Sequence, residues 1–127
     1  MVDDSKEHAE SGLKDPLPEI ETWPSQYDGY EVTVEIPEYN AVCPKTGLPD
    51  FGTLTIRYEP EKACLELKSL KLYIVAYRNL GIFYENAVNR VLEDCVRACR
   101  PRRMVVTGRF SSRGGISSVI EARYPKA

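Results

Sequence analysis

One cysteine in this chain of 127 residues sits where a thiol could do chemistry. Cys43 lies in the stretch Asn40-Ala41-Val42-Cys43-Pro44-Lys45-Thr46-Gly47-Leu48-Pro49-Asp50-Phe51-Gly52, away from any apolar periodicity. Pro44 and Pro49 stiffen the backbone around it. Lys45 follows two residues later and Asp50 seven later, separations that a turn closes. A free thiol with a pKa near ~8.5 loses about 2 kcal/mol on deprotonation at pH 7, a penalty that a neighbouring cation or base removes. Asp50 then suits a proton carrier, a role worth typically ~10²–10⁴-fold in rate. The same spacing is also met by ordinary loop cysteines, which are the commoner kind.

A second group lies in Glu66-Leu67-Lys68-Ser69-Leu70-Lys71-Leu72-Tyr73. Lys68 and Lys71 share a helix face near its start, where they repel each other and oppose the positive end of the dipole. Solvated lysines tolerate that small cost. Alternatively, free N–H groups and two ammonium groups together make a phosphate site. Arg113-Gly114-Gly115 is another candidate, a turn whose backbone approaches a ligand closely. No Gly-x-Gly-x-x-Gly and no P-loop occur, so a nucleotide would bind outside the Rossmann scheme. Glu66 and Glu85 are either solvated or readers of a guanine-like edge, since a carboxylate accepts two adjacent N–H groups.

Metal ligands are scarce. The cysteines fall at 43, 64, 95 and 99 with no C-x-x-C pair, and the only histidine is His8. Zinc needs three or four converging ligands. Cys95 and Cys99, one helical turn apart, read as small core residues. We expect no metal.

Positioning these groups requires a scaffold, and the pattern supplies one. Glu31–Ile36 alternates, with Val32, Val34 and Ile36 on one face; Thr53–Tyr58 alternates likewise. Pro37–Gly52 reads as a long loop between them, of a size that suggests function. Leu65–Arg78 reads as one helix. Phe83–Arg97 reads as a second, with Ala87, Val88, Val91, Leu92, Cys95 and Cys99 on its apolar stripe, and Pro101 ends it. Met104–Phe110 and Ser117–Tyr124 close the chain as strands joined through Ser111–Gly115. The order β-β-α-α-β-β predicts an α+β domain with two helices on one face of an antiparallel sheet. Its two unpaired edges and small size predict edge-to-edge assembly into an oligomeric ring.

Composition bounds the class. With 43% hydrophobic and 28% charged residues, the chain reads as one compact domain, placed over 23–127. Residues 1–22 hold seven acids against Lys6 and Lys14, a net −5, and read as a solvated, flexible tail until about Leu17. The remainder is +3, enough for a phosphorylated ligand and too little to imply nucleic acid. The longest apolar run, Leu72–Tyr77, is far short of a membrane span, and no secretory signal is visible. A soluble cytoplasmic protein is the expectation.

Taken together, these motifs resemble the NADPH-dependent 7-cyano-7-deazaguanine reductases of queuosine biosynthesis, the QueF nitrile reductases, in their short single-module subtype. The resemblance covers roughly Leu17–Tyr124. It rests on Pro37-Glu38, Val42-Cys43-Pro44-Lys45-Thr46-Gly47, Pro49-Asp50-Phe51, Glu66–Tyr73, Tyr77-Arg78-Asn79 and Arg113-Gly114-Gly115-Ile116-Ser117. It implies that Cys43 attacks the nitrile carbon to give a covalent thioimide and that Asp50 protonates the nitrile nitrogen. Two NADPH per turnover then yield 7-aminomethyl-7-deazaguanine for tRNA modification. It implies that Leu65, Glu66, Leu67, Tyr84 and Glu85 hold the deazaguanine, and that Lys68, Ser69, Lys71, Arg113 and Gly114 hold the cofactor. The implied fold is the tunnelling fold, a homo-oligomer of two stacked pentamers with sites at subunit interfaces. A nitrile carbon suits a soft thiolate, and no metal is needed.

Two positions depart from the family pattern. Tyr84 stands where many members have histidine; its hydroxyl donates but titrates near ~10, so proton duty falls on Asp50. Ala87 occupies the position of a resolving cysteine found in some relatives. The competing readings are an amidinotransferase acting on cyano-deazaguanine in transfer RNA and a non-catalytic purine- or pterin-binding protein. The intact Glu66–Tyr73 segment speaks against the first, and the Cys43–Asp50 pair against the second.

Overall fold

The computed structural model describes the backbone of residues 2–127 and the side chains of 6–111 and 114–127. Its elements in chain order are α1 (Val2–Glu10), β1 (Thr22–Pro24), β2 (Val32–Val42), β3 (Pro49–Glu59), β4 (Ala63–Leu65), α2 (Leu67–Val75), a 3-10 turn (Ala76–Asn79), α3 (Tyr84–Cys99), β5 (Arg103–Arg113) and β6 (Ile116–Tyr124). The main sheet is antiparallel in the order β2-β3-β5-β6, and β1 pairs with β4 in a separate two-stranded sheet. The α+β class and the ββααββ order of the main elements agree with the sequence pattern.

Alternation explains the inner face. Leu54, Ile56 and Tyr58 of β3 and Met104, Val106 and Phe110 of β5 are buried. They share one cluster with Leu70, Tyr73 and Ile74 of α2 and Val88, Val91, Leu92 and Cys95 of α3. Both helices therefore lie on one side of the sheet. Gly108 interrupts the inward row of β5 because a Cβ there would stand 2.7 Å from Val88 Cγ2 and the Phe110 ring. The stripe of α3 is buried as its spacing dictates, and Arg100 closes that helix in the left-handed region (φ 46°) directly before Pro101.

Three readings need correction. Pro37–Gly52 is not a long loop: β2 and β3 run on through it, pairing as far as Val42↔Pro49. A register shift between Ile36 and Tyr39 hides this in the sequence. The bulge changes which parity points inward, from Val32, Val34 and Ile36 to Tyr39 and Ala41. Only Cys43–Leu48 forms the turn. Next, Leu65 ends a short strand, so α2 begins at Leu67 and gives way to the 3-10 turn at Ala76. The β5–β6 connection shortens to Gly114 and Gly115, both at positive φ.

The acidic segment, expected to be solvated as far as about Leu17, keeps most of its described side chains exposed. Residues 2–10 are helical, and residues 9–15 are hydrogen-bonded to α3 and the segment before it. Arg90, only 11% exposed in its side chain, donates to the carbonyls of Gly12 and Asp15.

Candidate active site

The Cys43 turn is built by its own backbone. Cys43 N–H donates to Leu48 O and Gly47 N–H to Cys43 O, both at 2.9 Å, and Gly47 takes φ 72°. This folding turns Lys45 and Thr46 N–H groups and the Thr46 hydroxyl toward the sulfur. Partial burial pushes the thiol pKa up. The hydrogen bonds from Thr46 and Lys45 outweigh that, and the Asp50 charge opposes them, leaving the thiol below its ordinary value. Cys43 is half-buried, whereas Cys64, Cys95 and Cys99 are buried. Burial holds Cys95 far above the usual thiol range and pushes Cys99 up to about 12, so neither is a nucleophile.

Asp50 reaches the same place through strand parity. It shares the inward row of β3 with Leu54 and Ile56, faces Ala41 across the ladder, and is 6% exposed. Counting back by twos from Leu54 would have put its side chain inside. Tyr84, the first residue of α3, donates its hydroxyl to Asp50 Oδ1 at 3.1 Å. Its ring stacks on Phe110, with centroids 4.0 Å apart and planes at 12°. The start of α3 is fixed here because Leu80–Ile82 runs beside the end of β2: Val42 N–H donates to Leu80 O and Ile82 N–H to Val42 O, both at 2.9 Å.

Sequence reasoning missed Tyr39. It is 2% exposed, and its hydroxyl is the one buried side-chain polar atom without a partner among the described residues. Burial first, and then the nearby Tyr77, Asp50 and Tyr84, hold its pKa above the ordinary phenol value, so it stays a neutral donor. Its ring meets those of Tyr77 and Phe110 at 5.6 and 6.0 Å. The apparent loop at Pro37 concealed this inward position.

The chain thus gathers Cys43, Thr46, Asp50 and Tyr84, with Glu85 exposed in the first turn of α3. Leu65, Glu66 and Leu67 lie elsewhere. They sit at the far end of α2, whose nine residues rise roughly 14 Å before the 3-10 turn leads back to Leu80. Glu66 is the N-cap of α2: Oε1 accepts from Ser69 N–H at 2.8 Å and Oε2 from Lys68 N–H at 3.0 Å, which lowers its pKa. The Ser69 hydroxyl donates to Glu66 O and accepts from Glu21 N–H, both inside the chain.

Lys68 and Lys71 are exposed on α2. Lys71 lines a groove of about 330 Å³ between α2 and β2, together with Leu67, Ile74, Val75, Pro37 and Arg78. Arg78, which the sequence reading left without a role, also lines a second groove of about 420 Å³ with Glu38, Asn40, Thr53 and Arg109. Glu35 and Glu38 line the first groove as well, so its rim carries both signs over an apolar wall, and Lys71 and Arg78 are the cations a phosphorylated ligand would meet there. Neither groove is lined by Cys43, Asp50 or Tyr84. Gly114 is exposed in the β5–β6 turn; the Arg113 side chain lies outside the described residues. Among the described residues no three His, Cys, Asp or Glu side chains converge as a metal site, and no helix is long and apolar enough to cross a membrane.

Comparison with known proteins places this geometry. The chain is 54% identical over 123 residues to the NADPH-dependent 7-cyano-7-deazaguanine reductase of Elusimicrobium minutum, covering 96% of this chain and 93% of that protein. It is 53% identical over 110 residues to the reductase of the same name from Chlorobaculum tepidum, covering 85% and 94%. The fold matches the crystal structure of the archaeosine synthase QueF-Like in the apo form, with a TM-score of 0.71 over 76% of this chain and 95% of that one, at 24% identity. Residues 49–127 match the family model described as QueF-like protein, and with these relatives the match shows that the chain belongs to the QueF-like family.

Proposed function

We propose that this protein is an NADPH-dependent 7-cyano-7-deazaguanine reductase serving queuosine biosynthesis. One observation carries this reading: a half-buried turn thiol whose pKa Thr46 and Lys45 hydrogen bonds lower, close to a buried carboxyl, in a chain 54% identical to a reductase of that name. The amidinotransferase reading has only the shared fold in its favour.

The Cys43 thiolate adds to the nitrile carbon, forming a C–S bond while one C≡N π bond becomes a lone pair on nitrogen. Asp50 takes the thiol proton as Cys43 ionises and passes it to this nitrogen, and the Tyr84 hydroxyl holds the Asp50 carboxyl in place. NADPH supplies hydride, two per nitrile, so that with protons from the site the thioimide becomes a primary amine and the thiolate is released. Lys71 and Arg78, with Lys68 one turn before Lys71, would hold the cofactor's phosphates along the groove beside α2. Glu85 accepts N–H groups of the base; a heterocycle without those donors leaves the carboxylate unsatisfied.

We further propose a homo-oligomeric ring whose sites form between subunits. The support is the separation, within one chain, of the Leu65–Leu67 end of α2 from the Cys43 turn. The exposed Leu67, Leu72 and Val75 on α2 and the exposed Ile116 and Val119 on edge strand β6 add to it. Stopped-flow absorbance tests the activity: two NADPH consumed per nitrile supports the reductase, and a stable adduct without consumption points to a transferase or binder. Mixing Cys43→Ala subunits with Lys71→Ala subunits tests the shared site: recovered turnover supports it, and additive loss contradicts it.

A further inference from the structure

Residues 9–15 are tied to the end of the fold that carries Cys43. Asn86 Nδ2 donates to Ala9 O at 2.6 Å, and Ser11 Oγ donates to Gly81 O at 2.6 Å across 70 positions of sequence. Arg90 then holds Gly12 and Asp15 by their carbonyls. Gly12 is buried at φ 82°, and a Cβ there would stand 2.7 Å from both Gly81 O and Ile82 Cβ. The strap therefore lies directly on Gly81–Ile82, with no room between.

Gly81 joins two sides. On its open face, where a Cβ would project, Ser11 Oγ lies at 3.4 Å and Pro44 Cα at 3.9 Å. It also forms the parallel bridge with Val42, the residue before Cys43. The stretch 80–83 belongs to no helix, so its backbone groups depend on outside partners. Val42 satisfies Leu80 O and Ile82 N–H, and Ser11 satisfies Gly81 O. Tyr77 O also accepts from Leu80 N–H and Phe83 O from Ala87 N–H; Ser11 provides the bond to Gly81 O, and without it the backrest behind the Cys43 turn loses that tie.

We infer that residues 9–15 are a positioning strap for the nucleophile, with Ser11 as the residue that couples the strap to the Cys43 turn through Gly81. Ser11 touches no reacting atom. It acts by keeping the Lys45 and Thr46 N–H groups aimed at the sulfur, and small losses of such alignment are costly. The inference deepens the reductase reading, and its first test does not depend on that reading.

Cys43 is the half-exposed thiol among buried ones, so iodoacetamide titrates it selectively, and intact mass gives the rate. In the full-length Ser11→Ala protein, alkylation at pH 7 should slow by about two- to tenfold, the factor matching one hydrogen bond's net worth, with the pH midpoint moving upward. Ser11→Thr, which keeps the hydroxyl, should restore both, and the melting temperature of Ser11→Ala should fall by no more than the few degrees that one hydrogen bond costs. Wild-type alkylation and midpoint in Ser11→Ala would overturn the inference. So would a slowing that follows a fall in melting temperature and that Ser11→Thr does not rescue. Absence of NADPH oxidation by the wild-type protein would count against the reductase reading alone.

Discussion

The Tyr84 hydroxyl donates to Asp50 Oδ1 at 3.1 Å, joining the first turn of α3 to the inward row of β3. Where many relatives are expected to carry an imidazole, this chain carries a phenol that donates to the carboxyl proposed as the acid. Tyr84→Phe keeps the stack on Phe110 and removes only the donor. Nitrile capture in single turnover should slow about tenfold, in line with a lost hydrogen bond to a buried carboxyl. The affinity for the base should change little. An unchanged capture rate would remove Tyr84 from the positioning of Asp50.

Asp50 has two effects of opposite sign on the thiol and on turnover. Its negative charge raises the Cys43 pKa, so Asp50→Asn should lower the midpoint of the alkylation–pH profile. The same change removes the proposed proton carrier, and turnover should fall by about 10²-fold or more. Thr46→Ala acts the other way on the midpoint: losing a hydrogen bond to the thiolate should raise it, leaving less thiolate at neutral pH. Both midpoints are read by alkylation followed over pH.

The grooves beside α2 and β2 predict a division between ligands. Lys71→Ala and Arg78→Ala should each raise the apparent NADPH constant more than the nitrile constant, since both cations line the same groove. Steady-state kinetics with each substrate varied in turn checks this, and an equal rise in both constants would move the groove out of cofactor binding.

Gly108 couples the core to the site. Gly108→Ala would push a methyl into Val88 and the Phe110 ring, the ring on which Tyr84 stacks. Overpacking of this kind costs typically ~1–3 kcal/mol. Thermal melting should show that loss, and turnover should drop with it.

The amphipathic stripe of α3 and the alternation of β3 were legible because their partners are simple: one apolar face against one core. Cys43 and Asp50 were legible as residue types at a turn-like spacing. Their exact meeting was not, because the bulge after Ile36 inverts the inward parity of β2, and Pro37 looks like a break rather than a bulge. Tyr39 was lost for the same reason. Glu66 was legible as a glutamate at a helix start, yet its spacing says nothing about whether the carboxylate turns back to cap the helix, as it does here. The strap at residues 9–15 left no periodic trace, since it is held through backbone carbonyls of Ala9, Gly12 and Asp15.

Intact-mass spectrometry of the protein mixed with 7-cyano-7-deazaguanine in the absence of NADPH is the most direct measurement. The mechanism predicts a single conjugate, carried on Cys43, that Cys43→Ala cannot form and that added NADPH discharges as the amine. A protein that binds the base yet gains no mass, or gains it on another cysteine, would contradict covalent capture at Cys43.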